Sequence, residues 1–271
     1  MLPGINQWAF PANLSAIDCI STAKRFGFES FEVCVGDEGP TSLDISEKEA
    51  SAIRAHAEKE GIALCSLASG MGWKYKMTSA DRAERDKAKE ANARALQIAQ
   101  WLGCDALLVV PGMCDPGTPY DAALENAMAC IQDLAPTAER LKVSLAIENV
   151  WNKFLLSPVE MRDFIDQFDS EYVGAYFDTG NIVLYGYPEQ WIEILGQRIR
   201  AIHLKDYRAG VGTLDGFVML MEGDVNWPAV MKALRGIDYN RALTAEYFGY
   251  KHGMEPMLEH IRAAQRSMLA L

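Results

Sequence analysis

Leu145-Ala146-Ile147-Glu148, Ala175-Tyr176-Phe177-Asp178, Ala201-Ile202-His203-Leu204 and Leu243-Thr244-Ala245-Glu246 are four short apolar runs, each carrying one ionisable residue at or near its C-terminal end. Such runs are the pattern of strands buried on both faces of a parallel sheet. Working outward from them, the same kind of run recurs toward the N-terminus. The predicted strands are Ile5–Ala9, Ser30–Val35, Ile62–Leu67, Ala106–Val110, Val143–Ile147, Val173–Phe177, Ile199–Leu204 and Ala242–Ala245. Between them the apolar period becomes that of a helix. Over Tyr120–Leu141, Leu124, Ala127, Met128, Ile131, Leu134, Ala135, Ala138 and Leu141 fall on one helical face. Met161, Phe164, Ile165 and Phe168 repeat that spacing, as do Met254, Met257, Leu258 and Ile261. Pro158, after Ser157, and Pro188 stand where a first helical turn tolerates proline.

Eight strand–helix units in 271 residues leave about 34 residues for each, which suits a βα pair with its loops. The expected architecture is an α/β fold, a (β/α)8 TIM barrel in one domain over residues 1–271. An open doubly wound sheet fits less well, because no GxGxxG turn follows the first strand. In such a barrel the C-terminal strand ends and the loops after them carry the chemistry.

Hydrophobic residues make up 49% of the chain, enough for a large core and too many for a mainly disordered one. Against 26 Lys and Arg stand 37 Asp and Glu, a net charge of −11. That average repels nucleic acid and anionic membranes, so neither is expected as a partner. Six cysteines, at 19, 34, 65, 104, 114 and 130, form no CxxC pair. Neither a zinc ribbon nor a compact disulfide framework is read from them, and Cys34 and Cys65 read as small hydrophobes in strands. Met1-Leu2-Pro3-Gly4 lacks the basic-then-apolar pattern of a signal peptide. No apolar stretch approaches the roughly 20 residues of a membrane span. The expectation is a soluble, reduced, cytoplasmic protein.

Glu148, Asp178, His203 and Glu246 would meet at the mouth of such a barrel. A lone carboxylate buried there is costly, whereas three carboxylates and an imidazole around a divalent cation neutralise one another. A single glutamate at a strand end is more often a cap or an ion-pairing group. Four metal-type residues on four successive strands are hard to read as surface charge. Oxygen-rich ligation with one imidazole favours Mn2+, Mg2+ or Co2+ over a thiolate-type zinc site, and residue type alone leaves Zn2+ and Ni2+ open. His56 and His260 lie in polar helical segments and read as solvated, and His252 reads as a cap of the last helix.

Taken with Asn149, Thr179-Gly180-Asn181, Lys205-Asp206 and Gly223-Asp224-Val225-Asn226-Trp227, these strand ends give the chain a resemblance. It resembles the xylose isomerase-like barrel superfamily of sugar isomerases and epimerases, over nearly its whole length and most strongly from Ser144 to Tyr250. The ketose 3-epimerase and sugar-phosphate epimerase branch is the most similar. The resemblance implies that Glu148, Asp178, His203 and Glu246 hold one divalent ion, commonly Mn2+, and that Glu148 and Glu246 double as the acid/base pair. It implies a small sugar or sugar phosphate as substrate and a homo-oligomer, with helix-face residues such as Trp191 at an interface. Proton removal beside a ketone, helped by a cation on the substrate oxygens, gives the arrangement its chemical reason.

Two positions depart from that pattern. Free-ketose epimerases typically place histidine third after the metal aspartate, where this chain has Asn181, and an arginine a little beyond the metal histidine, where Arg208 follows by five positions. Asn181 keeps open the alternative of a dehydratase, lyase or epimerase acting on inososes or 3-keto-glycosides, which shares this barrel. Endonuclease IV has a related barrel, but four histidines in all and the acidic charge argue against a multi-metal DNA enzyme. A metal-free binding protein is a further class, marked by failure to retain any divalent ion.

Asn6, Trp8, Trp151, Asn181, Asp206 and Arg208 are the expected substrate-binding residues, the first two at the end of the first strand. Asp206 also suits orienting a ligand through a hydrogen bond. Glu32 reads as a polar contact at the barrel mouth or as a partner of Lys or Arg. The segment from Tyr207 to Asp224, with Gly210, Gly212, Gly216 and Gly223, is long for a connection and reads as a lid. Lys205 and Arg208 are its candidate charges for a phosphate.

Overall fold

The computed structural model describes residues 1–271 apart from Pro40, Gly249 and His252, so the cap read at His252 lies outside the described residues. In chain order the strands are β1 (Leu2–Asn6), β2 (Ser30–Val35), β3 (Leu67–Ser69), β4 (Ala106–Val109), β5 (Ser144–Glu148), β6 (Val173–Asp178), β7 (Ile199–Leu204), the two-residue β8 (Asp206–Tyr207) and β9 (Phe217–Val218), and β10 (Ala242–Ala245). Eight of them close a parallel barrel in the order β1-β10-β7-β6-β5-β4-β3-β2, while β8 and β9 form a separate antiparallel pair. Around the barrel stand α1 (Ala16–Arg25), α2 (Glu47–Glu60), α3 (Arg82–Leu102), α4 (Tyr120–Leu141), α5 (Pro158–Ile165), α6 (Pro188–Leu195), α7 (Trp227–Gly236) and α8 (Met254–Ala270). This is the expected (β/α)8 barrel.

Local chemistry starts the helices, at Pro158 and Pro188 where the sequence pattern predicts. Ser46 and Glu49 form a reciprocal capping box at α2. Ser157 accepts from the Glu160 amide with Pro158 in the first turn of α5, and Pro188 opens α6. None of the described helices is long and apolar enough to cross a membrane. The six cysteines are free thiols.

Two strands start several residues from the prediction, while the limits of β4, β5 and β6 shift by one residue. The first strand is Leu2–Asn6 rather than Ile5–Ala9. Pro3 still serves the sheet through its carbonyl, which accepts from Glu29 N at 2.9 Å. Gly4 lets β1 lie close to β10, since a Cβ there would stand 3.1 Å from Thr244 Oγ1. Asn6 then accepts from Trp8 N at 2.7 Å and turns the chain out of the sheet. The third strand begins at Leu67 rather than Ile62. Upstream of it, Ala63 exchanges single bonds with Phe31 and Glu29 at 2.9 and 3.0 Å, outside the named ladder.

Side-chain alternation places the site. Leu145, Ile147, Ala175, Phe177, Ile202, Leu204, Leu243 and Ala245 join the main core cluster, as the outward face of a barrel strand should beneath its helices. The intervening positions form a second cluster of Cys34, Ala68, Ala106, Leu108, Val110, Ala146, Tyr176 and Ala201. Several of these are alanines, and the small side chains leave room inside the barrel for Glu32, Tyr176 and His203, all at most 1% exposed. Trp191, expected at an interface, is instead 4% exposed and stacks on Phe177 at 6.2 Å, so it belongs to the core.

Candidate metal centre

Because Glu148, Asp178 and His203 share the inward parity of β5, β6 and β7, and Glu246 follows β10, barrel closure brings all four together. Their potential ligand atoms lie within 4.8 Å of one another and all four residues are buried. His203 Nδ1 lies 2.8 Å from Glu246 Oε2 and 3.3 Å from Glu148 Oε1. Both glutamates therefore meet the imidazole at the same nitrogen.

A cation fits this arrangement. Asp178 Oδ2 and Glu246 Oε2 are buried without an accepted hydrogen bond; charges alone meet them, with Lys205 Nζ at 3.1 and 2.7 Å respectively. Three carboxylates and one imidazole are a hard, oxygen-rich donor set, suited to a divalent ion. The electrostatics show the same strain. Burial, with repulsion from Glu246, pushes Glu148 up to about 7. Burial also raises Asp178, against the attraction of Lys205. Glu246 goes the other way: Lys205 and His203 outweigh its burial and hold it down at about 2. Against burial, Glu32 and Glu246 push the His203 imidazole well above its usual value.

Lys205, read as a charge for a phosphate, stands inside this cluster instead. Thr179 holds its backbone, the hydroxyl donating to Lys205 O at 2.8 Å and accepting from Lys205 N at 3.1 Å. Gly180 leaves space for the approach, because a Cβ there would fall 2.6 Å from Lys205 Cβ.

The remaining predicted site residues fall into distinct places. Asn181 donates from Nδ2 to Asn149 O and from its backbone to Asp178 Oδ1, both at 2.9 Å. Asn149 in turn accepts from Asp178 N at 2.8 Å, so the two asparagines strap the ends of β5 and β6 together. Trp151 donates from Nε1 to Asn181 O at 2.9 Å and packs against Tyr185, Tyr207 and Phe217. Trp8 stacks on Phe248 with ring centroids 5.6 Å apart. Asn6 is fully buried and donates to Glu32 Oε2 at 2.6 Å. Arg208 is exposed and donates from Nε to Glu222 O.

Asp206 is at 0% exposure and accepts from Tyr207 N, Gly223 N, Val225 N and Trp227 Nε1 at 2.9 to 3.2 Å. It thus holds both ends of the segment expected to be a lid, and the β8–β9 pair organises what lies between. A Cβ at position 223 would stand 2.2 Å from Asp206 Oδ1, so glycine permits that approach. His56 and His260, read as solvated, bond Ser21 Oγ at 2.8 Å and Leu220 O at 3.1 Å.

The sequence reading missed how Glu32 is used. Its Oε2 meets His203 Nε2 at 2.6 Å, Ser66 donates to Oε1 at 2.5 Å, and the Tyr176 hydroxyl donates to the same oxygen. A glutamate inside an otherwise apolar strand was the signal for a buried partner. That partner is His203 rather than the Lys or Arg expected. Although burial opposes it, the imidazole and these donors hold the Glu32 carboxyl below its ordinary range.

With this geometry in hand, residues 20–270 match the family described as Xylose isomerase-like TIM barrel. The chain belongs to that family. Among curated relatives, the putative L-ribulose-5-phosphate 3-epimerase SgbU of Escherichia coli K12 is 28% identical, over 96% of this chain and 93% of its own length. Among solved structures, a D-psicose 3-epimerase with D-tagatose from Clostridium cellulolyticum H10 superposes with a TM-score of 0.81 at 18% identity, covering 100% of this chain and 99% of that one. The IolI protein with a bound zinc atom gives 0.83 at 14% identity, covering 100% and 98%. At such identities the two superpositions show the shared fold.

Proposed function

We propose that this family member is a divalent-metal-dependent isomerase that epimerises or isomerises a ketose or ketose phosphate. The observation that carries the proposal is the buried cluster of Glu148, Asp178, His203 and Glu246 with two unsatisfied carboxylate oxygens. The epimerase names of the relatives agree with it. Mn2+ suits the donor set, and the zinc of the IolI structure shows one alternative on the same fold.

When bound, the ion supplies Lewis-acid polarisation of the substrate's carbonyl and neighbouring hydroxyl oxygens. The protein supplies the proton transfers. Glu148, at the end of β5, and Glu246, just after β10, serve as the two bases: one takes the proton beside the carbonyl and the other returns a proton to the opposite face of the enediolate. Lys205 supplies positive charge beside Asp178 and Glu246. Trp8 with Phe248, and Trp151 with its aromatic neighbours, supply apolar walls for a sugar ring, while Asn181 and Asp206 act by holding the scaffold and Arg208 stands on the exposed loop.

Incubation of the Mn2+-loaded protein in D2O with free ketoses, ketose phosphates, inososes and 3-keto-glycosides tests the reading. NMR follows both solvent-deuterium uptake and product identity. Deuterium entering beside the carbonyl with mass otherwise unchanged supports the epimerase. Loss of water or of an aglycone moves the assignment to the dehydratase or lyase alternative that Asn181 keeps open. No exchange with any substrate, despite a filled metal site, sinks the proposal for those substrates.

A further inference from the structure

Beneath the four-residue cluster, Glu32 occupies the barrel interior at 1% exposure, on a strand that does not neighbour the strand of His203. Its acceptor capacity is engaged on both oxygens. Asn6 Nδ2 and His203 Nε2 each meet Oε2 at 2.6 Å, while the Ser66 and Tyr176 hydroxyls donate to Oε1. The residue read as a contact at the barrel mouth therefore faces inward. Tyr176 also packs its ring 4.5 Å from the imidazole, closing the space on that side.

An imidazole binds a cation through a nitrogen lone pair, and the proton of the neutral ring must then sit on the other nitrogen. Here one nitrogen, Nε2, faces a carboxylate that three further donors hold in place. The other, Nδ1, faces Glu148 and Glu246. We propose that Glu32 is a positioning residue of this centre: it keeps the His203 proton on Nε2 and aims Nδ1 at the three carboxylates. The inference rests on the metal reading above and deepens it, since Glu32 acts through His203 without touching substrate or ion. Asn6, Ser66 and Tyr176 converge on one carboxylate whose remaining partner is the imidazole, which is the arrangement expected of an orienting group rather than of a buried cap.

The test uses the full chain. Mn2+ affinity is measured by titration calorimetry and by loss of the free-ion EPR signal, with circular dichroism confirming the fold. Glu32→Gln is expected to weaken Mn2+ binding about 10- to 100-fold. Tyr176→Phe leaves the Glu32–His203 bond in place and is expected to weaken binding by no more than about threefold. In the Zn2+-loaded protein labelled with 15N-histidine, four histidines make the spectrum simple. The wild type should show an Nε2–H proton of His203 protected from exchange, and Glu32→Gln should lose that protection.

Equal Mn2+ affinity in Glu32→Gln and wild type overturns the inference, including when the variant only melts earlier, because that is the mark of a purely structural role. An unprotected Nε2–H in wild type overturns it as well. Wild-type protein that binds no divalent ion brings down the metal reading itself. The Nε2–H resonance of the metal-free protein then decides whether Glu32 holds the ring, its absence overturning the claim.

Discussion

Two layers of carboxylates lie one above the other in this barrel, and they are finished differently. In the lower layer Glu32 meets four donors on its two oxygens. In the upper layer Asp178 Oδ2 and Glu246 Oε2 find only charges, Lys205 and His203, and no hydrogen bond of good geometry. Both layers are buried, so exposure does not separate them. What differs is whether the protein itself completes the acceptor. A saturated buried carboxylate is architecture, whereas one left short is held ready for something the chain does not supply.

The most severe break of this contrast is chemical. Glu148→Gln or Glu246→Gln in the upper layer is expected to lower deuterium incorporation into substrate about 1000-fold, read by NMR in D2O. His203→Ala should abolish stoichiometric metal retention, read by elemental analysis after desalting.

Asp206 extends the comparison to a further carboxylate, saturated like Glu32 but outside the cluster. Asp206→Ala orphans buried donors from Tyr207, Gly223, Val225 and Trp227. It should cost about 3 kcal/mol in urea unfolding. A loss below about 0.5 kcal/mol, the size usual for an uninvolved surface position, would show that the loop does not depend on this anchor.

The two layers should also respond with opposite sign in the metal-free protein. Glu32→Gln is expected to destabilise it by about 2 kcal/mol, because a satisfied buried network loses its charge. Glu148, pushed up to about 7 by burial and by Glu246, is strained when ionised. Glu148→Gln should stabilise the metal-free protein by about 1 kcal/mol at pH 8. Equal destabilisation by both substitutions removes the distinction.

The smallest expected effect is a pH dependence. Folded Glu148 and His203 both hold protons more tightly than their ordinary values. The stability linked to protonated Glu148 is complete below about 4.5 and lost as pH rises through about 7. That of His203 is complete below about 6.5 and lost as pH rises through its raised folded value. Metal-free Tm should therefore fall between pH 5 and pH 8 by a few degrees, about what 1 kcal/mol shifts a domain of this size. The rise in Tm on adding Mn2+ should grow over the same interval, since binding displaces those protons. Differential scanning fluorimetry across that range, with EDTA or Mn2+, reads both trends.

Much of this was legible locally. An apolar run ending in Glu148, Asp178 or Glu246 is a short-range pattern. Period-two alternation places those ends and His203 on the inner face without knowledge of any partner. The helical faces and, to within one residue, most strand limits follow from the same patterns, because burial of an apolar face is a property of the segment. The partners of Glu32 were not legible. His203 lies 171 residues away and Tyr176 144 residues away, and the strands that carry them meet Glu32 only across the interior of the closed barrel. Lys205 likewise read as a free charge until closure set it between Asp178 and Glu246, and Trp191 read as a surface aromatic until it stacked on Phe177. Chain chemistry names which side chains face inward; only the stagger and closure of the strands determine which of them meet, and whether their hydrogen bonds are completed by one another or left for a ligand.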